Sequence, residues 1–195
     1  MGSQALILNI SVITYMTNLH ELLVERRSIR RYTDEPISAD HVKLILEAAL
    51  LAPTSKNCRA WQFVVVDDKD TLARLAECKD SGAMPIAGCA MAVVVLGDPG
   101  KTDPWIEDAS IAASYMQLQA ADLGIGSCWI QLRGRFRGDG MSAEEYVSEL
   151  LGIPEELPAV CVITFGHKAE DRKPANVDKL LWERVHIGRW KPTEE

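Results

Sequence analysis

The sequence predicts a sheet covered by helices, and three observations carry that prediction. Four apolar runs of strand length alternate with segments whose apolar residues recur at helical spacing, the pattern of a layered helix-and-sheet domain. With 195 residues, 47% of them apolar and 25% charged, the chain can bury one full core. No internal repeat, low-complexity tract or linker divides it, so residues 16–195 are expected to form a single domain.

The elements follow in order. Residues 1–15 hold the apolar stretch Ala5 to Ile10, too short to cross a bilayer and without a basic flank. Met16 is a plausible natural start, and residues 1–15 are expected to be an extension of no assigned function. Asn18, with Glu21 three residues on, predicts a reciprocally capped helix through Leu19–Val24 that ends near Arg27. Ser38 caps a second helix with apolar positions Val42, Ile45, Leu46, Ala49 and Leu50, and Pro53 ends it. A polar loop, Thr54 to Arg59, leads into Trp61–Val66, whose near-continuous apolar character predicts a strand covered on both faces. Asp70 to Cys78 reads as a short helix and Ile86 to Leu96 as the second strand. Trp105 to Leu123 is the longest helix pattern, closed by Gly124. Ser127–Leu132 is the third strand, Ser142–Leu151 a helix with the capping box Ser142/Glu145, and Pro158–Phe165 the fourth strand. The tail from about residue 170 to 195 is charged and proline-broken, yet carries Leu180, Leu181, Trp182, Val185, Ile187 and Trp190. Such an apolar set beyond the last strand predicts an arm that packs on a second subunit, the alternative being an arm folded back on its own domain.

Composition excludes several classes. A net charge of −7 argues against a general nucleic-acid binder. Five cysteines, an odd number without a C-x-x-C pair, suit reduced thiols and a cytoplasmic location. Four scattered histidines give no metal-ligand spacing, so no metal site is assigned, and no membrane association is expected. There is no G-x-x-x-x-G-K-[ST] loop and no G-x-S-x-G elbow, and the one G-x-G, Gly124 to Gly126, follows a helix rather than a strand.

What remains is separated polar sets: Arg26 to Arg30, Thr54 to Asn57, and Lys168 to Lys173. Guanidinium forks and the Ser28 hydroxyl suit phosphate oxygens, although a basic stretch at a helix end also serves simply as a solvated complement to the helix dipole. A chain without acid/base or nucleophile machinery that can hold a phosphorylated ring borrows its chemistry from a cofactor.

Five motifs in order then resemble the flavin-dependent nitroreductase-like oxidoreductases: Arg26-Arg27-Ser28-Ile29-Arg30, Ala52 through Phe63, Leu123 through Ile130, Leu151-Gly152-Ile153-Pro154, and Phe165 through Glu170. The resemblance spans Leu19 to Trp190. It implies an α+β fold with a mixed, mainly antiparallel sheet flanked by helices, and an intertwined homodimer with FMN at the subunit interface. By the family pattern, Arg26, Arg27, Ser28 and Arg30 are the first subunit's FMN contacts, and Pro53, Thr54, Ser55 and Asn57 come from the other subunit. Trp129, Ile130 and Gln131 lie against the ring, with a backbone N–H near Gln131 facing flavin N5, while Lys168 and Arg172 complete the phosphate set. Arg59-Ala60-Trp61 departs from the proline the family often has at the middle position.

The implied activity is ping-pong transfer of hydride from NAD(P)H through FMN to a small-molecule acceptor such as a nitroaromatic or quinone. Alternatives are a specialised flavin enzyme of the same fold, such as a reductive dehalogenase or a flavin-modifying enzyme, and a non-catalytic FMN-binding module. The short Gly97–Trp105 connection favours an open pocket. Cys58 and Cys128 are expected near the flavin, as small hydrophobes rather than redox groups.

Overall fold

The computed structural model describes residues 18–192, so the expected extension over residues 1–15 lies outside the described residues. Five α-helices and four strands follow one another: α1 Leu19–Glu25, α2 Ala39–Leu50, β1 Trp61–Val66, α3 Lys69–Leu75, β2 Met91–Gly97, α4 Trp105–Asp122, β3 Gly126–Gln131, α5 Ala143–Leu151 and β4 Ala159–Gly166. The sheet order is β1-β2-β4-β3 and every strand pair is antiparallel. The fold is thus α+β, but the expected mixed sheet is corrected: the one parallel pairing among the described residues is the isolated bridge from Ser28, outside the strands, to Ser127 of β3.

Period-2 alternation divides the core in two. Ala92, Val94 and Leu96 of β2 face the side closed by α3 and α5, and Met91, Val93 and Val95 face α2 and α4. A bulge opposite Val95/Leu96 lets two successive β4 residues, Val160 and Cys161, pack on the α2/α4 side. Ala109, Ala112, Ala113, Met116 and Ala120 bring α4 close to the sheet, as their small side chains predict.

Three element expectations are corrected. β1 is an edge strand: only Val66 is buried and Val65 is exposed, so its apolar run does not have both faces covered within this chain. β2 begins at Met91, not Ile86, because Pro85 sits in a 3-10 turn over Met84–Ile86 and Cys89 N–H turns back to the Ile86 carbonyl. α1 stops at Glu25, and the Asn18 side chain accepts from His20 N–H rather than closing a reciprocal box with Glu21. Ser38 and Ser142 cap α2 and α5 as expected, each accepting the N–H three residues on.

Beyond residue 170 the chain makes two short 3-10 turns, Val177–Lys179 and Trp182–Arg184. Its large apolar residues stand in solvent, with Trp182 69% and Ile187 93% exposed. The arm therefore does not fold back into this chain's core. No helix among the described residues is long and apolar enough to cross a membrane.

Candidate functional site

The arginine stretch is built by leaving the helix early. Arg26 takes an extended conformation (φ −62°, ψ 123°), and alternation then turns Ile29 inward while Ser28 and Arg30 face outward. Ile29 is 4% exposed, and its N–H donates to the Ser127 carbonyl at 2.9 Å, which seats the stretch along the free side of β3. The approach is close: a Cβ on Gly126 would lie 3.0 Å from Ile29 and 3.1 Å from Lys168.

Tyr32 locks the next turn. Its hydroxyl donates to the Ile29 carbonyl at 2.6 Å and shares a 2.7 Å hydrogen bond with Thr164, which in turn reaches the Cys128 carbonyl. Burial pushes the phenol far above its ordinary pKa, so the lock stays neutral. Gly166 leaves room for the ring, since a Cβ there would meet it at 2.8 Å.

Glu170 closes the site from the segment after β4. One carboxylate oxygen accepts Arg30 N–H at 2.7 Å, and the other accepts from Arg172 at 3.0 Å with Arg31 at 3.6 Å. The Arg30 N–H and then the arginine charges hold this carboxyl below the usual carboxylate range. The clasp gathers Arg26, Arg27, Ser28, Arg30 and Arg172 around a cavity of about 220 Å³. Lys168 lines an adjoining cavity of about 210 Å³ with Arg26, Arg27 and Arg172. Four arginines line one small cavity in a chain of net charge −7, a donor set whose chemistry suits an anion.

β3 extends from this cavity for about 17 Å, five steps of extended chain. Because Ser127 presents its carbonyl to Ile29, the backbone groups of Trp129 and Gln131, two and four residues on, also face the free edge rather than β4. Gln131 is held by its neighbours: its carbonyl accepts from Lys79 Nζ at 2.9 Å and its side chain accepts from the Trp129 indole. Ile130 lies between them with its side chain in the core. Cys128 is buried, and burial raises its thiol above the ordinary value. Among the described residues no group of three or more His, Cys, Asp or Glu could hold a metal ion.

The Thr54–Asn57 set lies elsewhere. Ser55–Asn57 forms a 3-10 turn, and Lys56, Asn57 and Arg59 all have φ between 48° and 56°, a left-handed conformation that costs a non-glycine residue about 1–2 kcal/mol. Side chains brace it: Arg59 N–H donates to the Thr54 hydroxyl and the Arg59 guanidinium to Asn57. Both oxygens of Asp108, 4% exposed in the first turn of α4, accept Ser55 N–H at 3.0 and 3.1 Å. From Asp108 to Asp122, α4 rises about 21 Å, and the arginine cavity lies beyond its far end. One chain therefore does not bring Pro53, Thr54, Ser55 and Asn57 to the arginine cavity.

Sequence reasoning missed Asp108, Tyr32 and Glu170 as site-building residues. Asp108 carried no signal beyond being an acid in a helix's first turn; Glu170 stood in a quoted motif without a role.

A model of the Nitroreductase family matches residues 23–83 and 79–167. An FMN-dependent nitroreductase from Clostridium difficile has a similar structure, with a TM-score of 0.85 and 44% identity over 87% of this chain and 98% of that one. A protein of Archaeoglobus fulgidus, provisionally named NADH dehydrogenase/NAD(P)H nitroreductase, is 34% identical over 175 residues, 87% of this chain and 97% of its own. An NADPH-dependent oxidoreductase of Staphylococcus aureus is 25% identical over 187 residues, covering 86% of this chain and 72% of that protein.

Proposed function

The chain belongs to the nitroreductase family, and from that premise we propose that it is an FMN-dependent NAD(P)H oxidoreductase acting as a homodimer. The observation that carries the reading is the cavity of Arg26, Arg27, Ser28, Arg30 and Arg172 at one end of β3, an edge strand whose outer side pairs with no other strand. Its donors fit a phosphate monoester near two negative charges, each charge-assisted bond contributing about 1.5–3 kcal/mol. Bound FMN supplies the ring that takes up hydride from NAD(P)H and yields its electrons to a second substrate.

The protein's part is to bind, orient and stabilise charge. The arginines and Ser28 hold the phosphate, with Lys168 beside them. Trp129 and Gln131 line the ring end of β3. The outward Gln131 N–H donates to the electron-rich edge of the ring, and a fixed donor of this kind stabilises developing negative charge without a titratable side chain. That accounts for a site in which no histidine or carboxylate is assigned to the reaction. NAD(P)H gives up its hydride and leaves before the acceptor, a nitroaromatic or quinone, takes its place.

Two copies complete the site. Pro53, Thr54, Ser55 and Asn57 reach the cavity from the second copy, because α4 keeps them far from their own. The exposed arm from about residue 170 onward, and a groove of about 750 Å³ lined by Leu19, Leu23, Leu44, Leu51 and Tyr115, support an extensive shared face. The test is an anaerobic absorption spectrum of the purified protein before and after NADH or NADPH, with light scattering for its mass. A yellow dimer that bleaches is expected; a colourless protein that takes up no added FMN overturns the reading.

A further inference from the structure

The loop after β3 reads Arg133-Gly134-Arg135-Phe136-Arg137, the densest basic stretch after the Arg26–Arg31 segment in a chain of net charge −7. Its backbone is held on several sides. Arg135 N–H donates to the Leu132 carbonyl at 2.8 Å, Gly134 N–H to the Glu144 carboxylate at 2.9 Å, and Gly138 N–H to Asp80 at 2.6 Å. Ala143 N–H returns to the Arg135 carbonyl at 2.8 Å. The loop is thus a built turn.

Three carboxylates stand around the loop, and Glu144 Oε2 is buried with no hydrogen-bond partner. Glu144 and Asp80 accept backbone N–H groups, and Asp139 pairs with Arg137 at 3.3 Å while that guanidinium also lies 4.3 Å over the Tyr146 ring. Arg133 and Arg135 remain exposed and, among the described residues, pair with no carboxylate. Lys79 adds a third cation from the facing loop, anchored on the Gln131 carbonyl at 2.9 Å, and burial together with the Arg135 charge lowers its pKa. Arg133 and Arg135 lie in no ion pair among the described residues, so their donor forks are free for an anionic ligand. Phe136, 60% exposed between Arg135 and Arg137, places a flat apolar ring beside them.

We infer that Arg133 and Arg135, with Phe136 beside them, form the site that grips the phosphorylated adenosine end of NADPH and makes the protein prefer NADPH to NADH. The loop leaves β3 at Gln131, where the reading above puts the redox ring, so a nicotinamide at the ring leaves its adenosine end near this turn. The extra 2′-phosphate is the group that two guanidinium forks can distinguish, since NADH lacks it. The inference rests on the oxidoreductase reading.

The experiment uses the FMN-loaded full chain and the double variant Arg133→Ala/Arg135→Ala, with Arg133→Lys/Arg135→Lys as the charge-keeping control. One arm measures kcat/KM for NADPH and NADH with a quinone. The other measures binding of 2′,5′-ADP and 5′-AMP by calorimetry. The wild type is expected to prefer NADPH and 2′,5′-ADP. In the alanine variant the NADPH/NADH ratio should fall about 10- to 100-fold, mainly through KM, with a parallel loss of 2′,5′-ADP affinity and partial retention in the lysine variant. Equal use of both coenzymes by the wild type, or equal 2′,5′-ADP binding by wild type and alanine variant, overturns the inference. If neither coenzyme reduces the flavin, the oxidoreductase reading itself fails, whereas the 2′,5′-ADP arm still decides the arginine pair.

Discussion

The two ends of α4 carry polar segments of similar length and hold them by opposite means. At the C-terminal end, Arg26–Arg30 runs as relaxed extended chain, and the tension lies in the side chains: four guanidinium groups share a cavity with Glu170 alongside. At the N-terminal end the side chains are satisfied and the tension lies in the backbone, three residues in the left-handed region over a buried carboxylate. The first arrangement leaves guanidinium donors beyond those that Glu170 pairs, which on the proposed reading an anion completes. The second is complete without a ligand, a shaped surface held ready to be presented to another molecule. The proposed dimer joins these two kinds of site.

Four experiments break or sharpen that contrast. The largest effect is expected for Arg26→Ala/Arg30→Ala, which removes two charge-assisted contacts of about 1.5–3 kcal/mol each and so weakens FMN binding at least about 100-fold by fluorescence titration. Unchanged affinity would reduce the cluster to a solvated helix end. Next, Asp108→Ala strips Ser55 N–H of its acceptor and should destabilise the fold by about 1–3 kcal/mol in urea unfolding, with Asp108→Asn recovering part of it.

The third concerns pH. Glu170 has a depressed folded-state pKa, so its contribution is fully present above the ordinary carboxylate value of about 4 and is lost as pH falls through the lower folded value. The free energy of urea unfolding should keep the Glu170 contribution from neutral pH down to about 4 and then lose it, and Glu170→Gln should flatten that part of the acid limb. A drop already complete at pH 5 would show that another group sets it. The smallest effect is expected at Lys56 (φ 49°), where Lys56→Gly relieves left-handed strain but adds unfolded-state entropy. The net should be a stabilisation of no more than about 1 kcal/mol, read as a Tm shift; a clear loss of stability would mean that the Lys56 side chain braces the loop.

Much of the fold was legible locally. Ser38 and Ser142 mark helix starts because a hydroxyl satisfies an N–H three residues on whatever the rest of the chain does. β1 and β3 fall within one residue of their expected limits, since short apolar runs between turn residues have few other conformations open to them. The misplaced limits have neighbours as their cause. Arg26 and Arg27 leave α1 because Ile29 pairs with Ser127, about a hundred positions away. β1 reads as a doubly covered strand, but the crossover through α4 put β3 and β4 on the other side of β2 and left it at the edge.

For the site, residue order determined which groups can bind phosphate: consecutive arginines with one inward isoleucine present donors outward wherever that stretch is seated. Only the tertiary structure decided what stands opposite them. Glu170 on Arg30 N–H, Tyr32 on Thr164 and Asp108 beneath Ser55 join positions 140, 132 and 53 apart in the chain, and no local propensity reports such pairs. Caps, turns and periodicity are energies of neighbouring residues and can be read from them; burial and charge pairing are energies of the packed whole, and exist only once the chain has closed on itself.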